Sequence, residues 1–225
     1  MSRNLNDLLK WSIENTPAPS DTPSDTPRED PGSAPTTNNV STLDPELLKA
    51  LMGGPSDADL MKAAMEVITS PDPDVTHENR VIAFDNFEQL IESLDNANNL
   101  SNLALWTPLI GLLSHGNPEL RRYAAWCVGT AVQNNAPSQE KFMVAGGVPR
   151  LVAMAAGEGE ADGQVRRKAV YALSSAVRNY QPAMDVAHKE LGKFGIAGDK
   201  EKVDATDMDA VDEVMTALRE RLNAT

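Results

Sequence analysis

The sequence predicts an all-α chain built from stacked helical repeats. Three observations carry that prediction. Hydrophobic residues make up 41% of the 225 residues but aromatics only 4%, so the core must be Leu, Ala, Val and Met, which suits closely packed helices better than a β-sandwich. No segment alternates apolar and polar residues over a strand's length. Finally, NPELRRYAAWCVGTAVQNNAP (residues 117–137) returns as DGQVRRKAVYALSSAVRNYQP (residues 162–182), a shift of 45 positions.

In chain order, residues 4–14 predict a short amphipathic helix. Leu5, Leu8, Leu9 and Ile13 share one stripe and Trp11 lies beside it. A piece this short is not stably helical alone. Residues 16–42 hold Pro17, Pro19, Pro23, Pro27, Pro31 and Pro35 among many Ser and Thr. Such a stretch has almost nothing to bury and reads as a disordered, extended linker. Residues 43–73 read as an N-terminal helical cap, with Asp44 before Pro45 at a helix start. Helical patterns follow at about 57–69, 77–95, 100–114, 118–135, 138–145, 147–156, 163–180, 182–193 and 206–223. Prolines 71 and 73 and the glycines at 116, 146–147, 157–163, 195 and 198 separate them. Repeats are expected over residues 74–195, and a loop with a C-terminal capping helix over 196–225.

Net charge narrows the function. At −13 the chain lacks the Lys/Arg excess that nucleic acid or anionic membranes require. The single cysteine, Cys127, allows no internal disulfide. With no apolar run of about 18 residues and no signal-peptide pattern at the start, the expected location is cytoplasmic.

A helical period near 45 residues is the signature of an armadillo or HEAT solenoid. Residues 77–99 and 105–113 supply a fainter upstream copy, so three repeats are expected, wound as a right-handed superhelix. Two stripes persist between copies. Ala124, Cys127, Val128, Ala131 and Val132 match Ala169, Ala172, Leu173, Ala176 and Val177; this is a packing face. Arg122, Trp126, Thr130 and Gln133 match Arg167, Tyr171, Ser175 and Arg178 along a second face. Asn134, matched by Asn179, adjoins that face, and Glu88, Glu92, Asp95 and Asn96 extend it upstream. An aromatic, cations and amides on one face suit a protein partner. The charge gradient, acidic upstream and basic downstream, fixes an orientation. Arg121 and Arg166, one position off the stripe, read as structural. Peptide-binding armadillo proteins carry Asn where this chain has Thr130 and Ser175, which argues against a nuclear-import type of receptor.

LIGLLSHGNPELRRYAAWCVGTAVQNNAPSQEKF, VRRKAVYALSSAVRNYQPAM, DNFEQLIESLDNANNLSNL and the opening NLNDLLKWSIENT together resemble the fungal armadillo-type nucleotide exchange factors of the seventy-kilodalton heat-shock chaperones. The likeness covers residues 4–15 and about 43–222. It implies a monomeric co-chaperone, without chemistry, metal or cofactor of its own. Its concave face clasps the chaperone's ATPase domain, lowers ADP affinity and so releases the client. It also implies that Leu5, Leu8, Leu9, Trp11 and Ile13 mimic a client in the chaperone's peptide groove; docking of that segment on the solenoid is the other reading. The alternative function is a generic armadillo adaptor or peptide-binding scaffold.

Ligand motifs are weak. Glu158, Glu160 and Asp162 imitate half a calcium loop, but Ala169 stands where the bidentate acid belongs. A flexible acidic loop is expected instead. Cys127 falls on the packed face, and His77, His115 and His188 have no metal-ligand spacing.

Overall fold

The computed structural model describes residues 54–196 and 202–223. The expected helix at 4–14, the linker at 16–42 and the helix start at Asp44 and Pro45 lie outside these residues. The chain divides into a unit Met1–Ser56 and a unit Asp57–Thr225. Of the first, only residues 54–56 are described.

The second unit holds ten described helices: α1 (Asp57–Thr69), α2 (His77–Ile91), α3 (Leu94–Asn99), α4 (Trp106–Leu112), α5 (Pro118–Val132), α6 (Ala136–Val144), α7 (Gly147–Ala156), α8 (Gly163–Val177), α9 (Gln181–Gly192) and α10 (Met208–Asn223). No strand occurs among the described residues. The long helices stack in sequence, α2 on α5, α5 on α8 and α8 on α10, while α3, α6 and α9 form a second row. Helices α4 and α7 fill a third row, joined by Arg150, which donates to Ser114 Oγ at 3.2 Å. This is an armadillo-like solenoid.

The 45-residue register holds to the residue. Helices α5 and α8 each span 15 residues with starts 45 apart, and α6 and α9 start 45 apart as well. Both long helices are capped alike. Asn117 Oδ1 accepts from Glu119 N at 2.8 Å, and Asp162 Oδ1 accepts from Gln164 N at 2.7 Å; each cap stabilises by about 1 kcal/mol. Both helices also stop sooner than expected, at Val132 and Val177 and not at 135 and 180. The physical reason is Asn134 (φ 52°) and Asn179 (φ 57°), which adopt the left-handed conformation that Asn tolerates better than most residues. The pattern at 77–95 likewise breaks after Ile91, because Ser93 is extended (ψ 127°) before α3 begins. Within 100–114 only Trp106–Leu112 is helical, since Ala104 turns left-handed at φ 56°.

The packing face is as expected. Ala124, Cys127, Val128, Ala131 and Val132 on α5 are fully buried, as are Ala169, Ala172, Leu173, Ala176 and Val177 on α8. Each large aliphatic here contributes roughly 1.5–3 kcal/mol. Burial pushes the Cys127 thiol well above its ordinary range, with Glu88 and Asp85 adding to the effect; such a thiol is a poor nucleophile.

The structural roles of Arg121 and Arg166 also hold. Arg121 forks onto Glu160, with Nε to Oε2 at 2.6 Å and Nη2 to Oε1 at 3.0 Å, and its Nη1 donates to the His115 carbonyl at 2.7 Å. Buried Arg166 donates to the Ala155 carbonyl. The expectation of a wholly flexible acidic loop at 157–163 therefore fails at Glu160, which is 7% exposed and also accepts the Asp162 N–H at 2.9 Å.

Candidate functional site: a groove across the long helices

Two adjoining clefts, of about 450 and 560 Å³, cross the exposed side of the long-helix row and share Gln133, Asn134 and Tyr171. The upstream cleft is lined by Glu88 and Glu92 of α2 with Trp126 and Thr130 of α5. The downstream cleft is lined by Arg167, Ser175 and Arg178 around α8, and by Arg219 and Leu222 of α10. The repeat thus brings most of the predicted stripe into one continuous groove, acidic upstream and basic downstream.

Two of the rings that line the groove, Trp126 and Tyr171, hold a cation between them. Lys168 Nζ lies 4.4 Å from the Trp126 ring centroid and 5.3 Å from that of Tyr171. Trp126 stacks in turn on Tyr123 at 5.9 Å, and Tyr123 on Phe84 at 5.5 Å. Each cation–π contact contributes about 0.5–1 kcal/mol where partly exposed. Partial burial lowers the Lys168 ammonium below its usual range, against the opposing pull of Glu88. The Tyr171 hydroxyl faces Gln133 Oε1 at 3.3 Å, which ties the second ring to the end of α5.

Gly129 makes room for this arrangement. A Cβ there would stand 2.4 Å from Tyr171 Cε1 and 3.2 Å from Ala172 Cα. Gly129→Ala gains about 1 kcal/mol of helix propensity, while the ring must swing aside. The Ala172 backbone cannot swing with it, so the expected outcome is a net loss of about 1–2 kcal/mol, with altered near-ultraviolet circular dichroism from the displaced Tyr171. An unchanged aromatic spectrum would show that the ring does not depend on this glycine.

Several predicted residues are committed to bonds inside the fold, and Asn96, Asp95 and Arg122 stand outside the clefts. Glu88 is no open contact: it is 7% exposed and accepts from Thr130 Oγ1 at 2.7 Å, because its part of α2 turns toward α5. Thr130 is accordingly committed to that bond. Ser175 is 9% exposed, and its carbonyl accepts from Gln139 Nε2 at 3.0 Å. Asn96 is a structural residue, with Nδ2 donating to Asp57 Oδ2 at 2.8 Å and to the Leu90 carbonyl at 2.9 Å. Asp95 is exposed but lines neither cleft, since it follows the break after α2. Arg122 pairs with Glu119 at 3.0 Å and sits over the Tyr123 ring, outside both clefts. Arg178 lines the groove, but is bonded to Asp212 and to Ser174 Oγ.

Sequence reasoning missed Lys168, Gly129, Arg219 and Leu222. Lys168 occupies the repeat position of Tyr123, so comparing copies hid it. Gly129 had a readable signal, an isolated glycine inside a helical pattern. Arg219 and Leu222 lie in a helix with no counterpart in the repeat.

Fold and groove define a class: armadillo-like solenoids with a groove along the exposed side of their long helices. Residues 5–100 match the family model described as nucleotide exchange factor Fes1, and residues 96–199 match that of the SIL1/FES1/HPBP1 C-terminal domain. The Hsp70 nucleotide exchange factor fes-1 of Neurospora crassa is 55% identical over 98% of both chains. The Hsp70 nucleotide exchange factor FES1 of Gibberella zeae is 58% identical over 97% of this chain and 96% of that one. This chain belongs to the Fes1 family of nucleotide exchange factors. Two engineered proteins of known crystal structure share the fold alone, with TM-scores of 0.51 and 0.54, 18% identity and 82% of this chain covered; the match covers 76% and 46% of those chains.

Proposed function

We propose that this chain is a cytosolic co-chaperone, acting as a monomer, whose groove clasps the ATPase domain of a seventy-kilodalton heat-shock chaperone and expels ADP. The observation that carries the reading is the near-full-length likeness to two relatives named Hsp70 nucleotide exchange factors, at 55% and 58% identity. The groove supports it, because Trp126 and Tyr171 are part-exposed and line the clefts, not the core. Among the described residues no helix is long and apolar enough to cross a membrane.

The mechanism follows from linkage. A protein that binds the open, nucleotide-poor ATPase domain more tightly than the closed one shifts the chaperone toward the open state by that difference, and by nothing else. ADP affinity falls by the same factor by which ADP weakens the grip of this chain. ATP then enters and the client leaves. The segment holding Leu5, Leu8, Leu9, Trp11 and Ile13, on the tether of residues 16–42, acts as a client mimic, raised to high effective concentration by the docked groove.

The test is stopped-flow release of fluorescent ADP from the chaperone. Addition of this chain is expected to accelerate release, and an unchanged rate at saturation would overturn the reading. A form lacking residues 1–42 is expected to keep the acceleration but clear tightly held clients more slowly. Equal clearance by both forms removes the mimic role while leaving exchange intact.

A further inference from the structure

In a chain of net charge −13 carboxylates are plentiful, and arginines readily find partners. Among the described residues, every arginine but two donates a hydrogen bond inside the fold: Arg80 to backbone carbonyls, Arg121 to Glu160 and Arg178 to Asp212 are examples. The exceptions are Arg167 on α8 and Arg219 on α10. Both are exposed, and both line the downstream cleft of about 560 Å³.

We propose that Arg167 and Arg219 form a two-guanidinium clamp for an acidic side chain of the protein partner, which makes α10 a recognition element as well as a cap. The proposal rests on the reading that the groove is where the chaperone docks. Two cations facing one cleft repel each other until an anion lies between them. A guanidinium presents a planar fork that matches a carboxylate edge to edge. Val170 and Leu222 form an apolar wall of the same cleft, which excludes water on one side and strengthens the pairing. Arg178, beside them, is already neutralised by Asp212 and does not compete for the ligand.

A partner carboxylate fits better than a phosphate. Phosphate sites commonly use the backbone N–H groups at a helix N-terminus. This cleft is lined by Gln133 and Asn134 at the C-terminal end of α5 and by the middle of α8. A helix C-terminus carries partial negative charge, which disfavours a dianion more than a single carboxylate. The clamp also forms only where α10 packs on α8, so it reports that the C-terminal helix is seated. With Glu92 exposed at the other end of the groove, the partner element that fits is basic at one end and acidic at the other.

The experiment is surface plasmon resonance of the full chain over immobilised nucleotide-free chaperone, comparing the parent with Arg167→Gln, Arg219→Gln, the double variant and Lys62→Gln, an exposed control on α1. Each single arginine change is expected to speed dissociation ~10-fold or more, since truncating a buried charge pair acts on the off-rate. The double variant should fall short of the product of the two, because both groups hold one ligand. The control should match the parent. Dissociation rates within about twofold of the parent for both single variants, with helicity intact, would overturn the clamp. So would an effect confined to association, which would mean long-range steering only. Competition by inorganic phosphate at constant ionic strength would reassign the arginines to phosphate and overturn the carboxylate. A parent chain that does not bind at all would defeat the exchange-factor reading itself, a result distinct from parent-like variants.

Discussion

Trp126→Ala combined with Arg167→Glu is expected to return ADP release to its spontaneous rate while the far-ultraviolet helical signal is retained. Trp126 is the ring on which Lys168 rests at 4.4 Å and on which Tyr123 stacks. It is only partly buried, so its removal costs the fold about 1–2 kcal/mol against a typical margin of 5–15 kcal/mol. Arg167 makes no hydrogen bond inside the fold among the described residues and costs less. Docking suffers far more. Loss of a central tryptophan anchor removes about 2–4 kcal/mol, and a reversed charge facing a carboxylate removes a further 2 kcal/mol or so. A combined loss of about 4 kcal/mol is roughly a thousandfold in Kd. Stopped-flow ADP release and circular dichroism on the same preparation decide the matter. Persistent acceleration would show that the chaperone docks elsewhere. Collapse of the helical signal would show that the two residues belong to the core.

The largest expected effect on stability comes from Arg121→Ala. The Arg121 and Glu160 side chains are 18% and 5% exposed, so deleting the cation strands a buried carboxylate. Breaking such a pair from one side costs about 3 kcal/mol or more. The midpoint should fall by about 6–12 °C for a unit of this size, and the urea midpoint should drop with little change in slope. Arg121→Met with Glu160→Leu should recover most of the loss, because a well-packed apolar pair can replace a buried ionic one. A loss below about 1 kcal/mol in the single variant would mean that water reaches Glu160 once Arg121 is gone.

What the sequence reveals about this molecule depends on the repeat. Where two copies could be laid side by side, as in α5 and α8, the register, the caps and the buried face are legible to the residue. The early helix ends are not, because Asn134 and Asn179 look like polar positions continuing a helix until their left-handed φ is seen. Site residues follow the same division. Trp126, Tyr171, Gln133 and Arg167 reach the groove because the phase of the second copy checks that of the first. Glu88 was placed by extrapolation to the weaker upstream copy, whose long helix starts at His77, 41 positions before Pro118 and not 45. In that register Glu88 matches the buried Gly129 and not the groove residue Gln133. Lys168 and Arg219 follow from no pattern at all; each depends on which neighbour the fold places beside it.

The close approach of α5 and α8 at Gly129 and Ala172 also governs how a partner arrives. A Cβ on Gly129 of α5 would stand 3.2 Å from Ala172 Cα on α8, so the distance between these two rungs is set there by main-chain girth and not by rotamer choice. A seam of leucines could breathe as side chains hop; this one has no slack. The spacing between Trp126 and Tyr171 is therefore cast before any visitor comes. The visitor meets a finished mould, and the arrival of a nucleotide-free, already open chaperone should trace a single exponential with no slow settling phase after first touch.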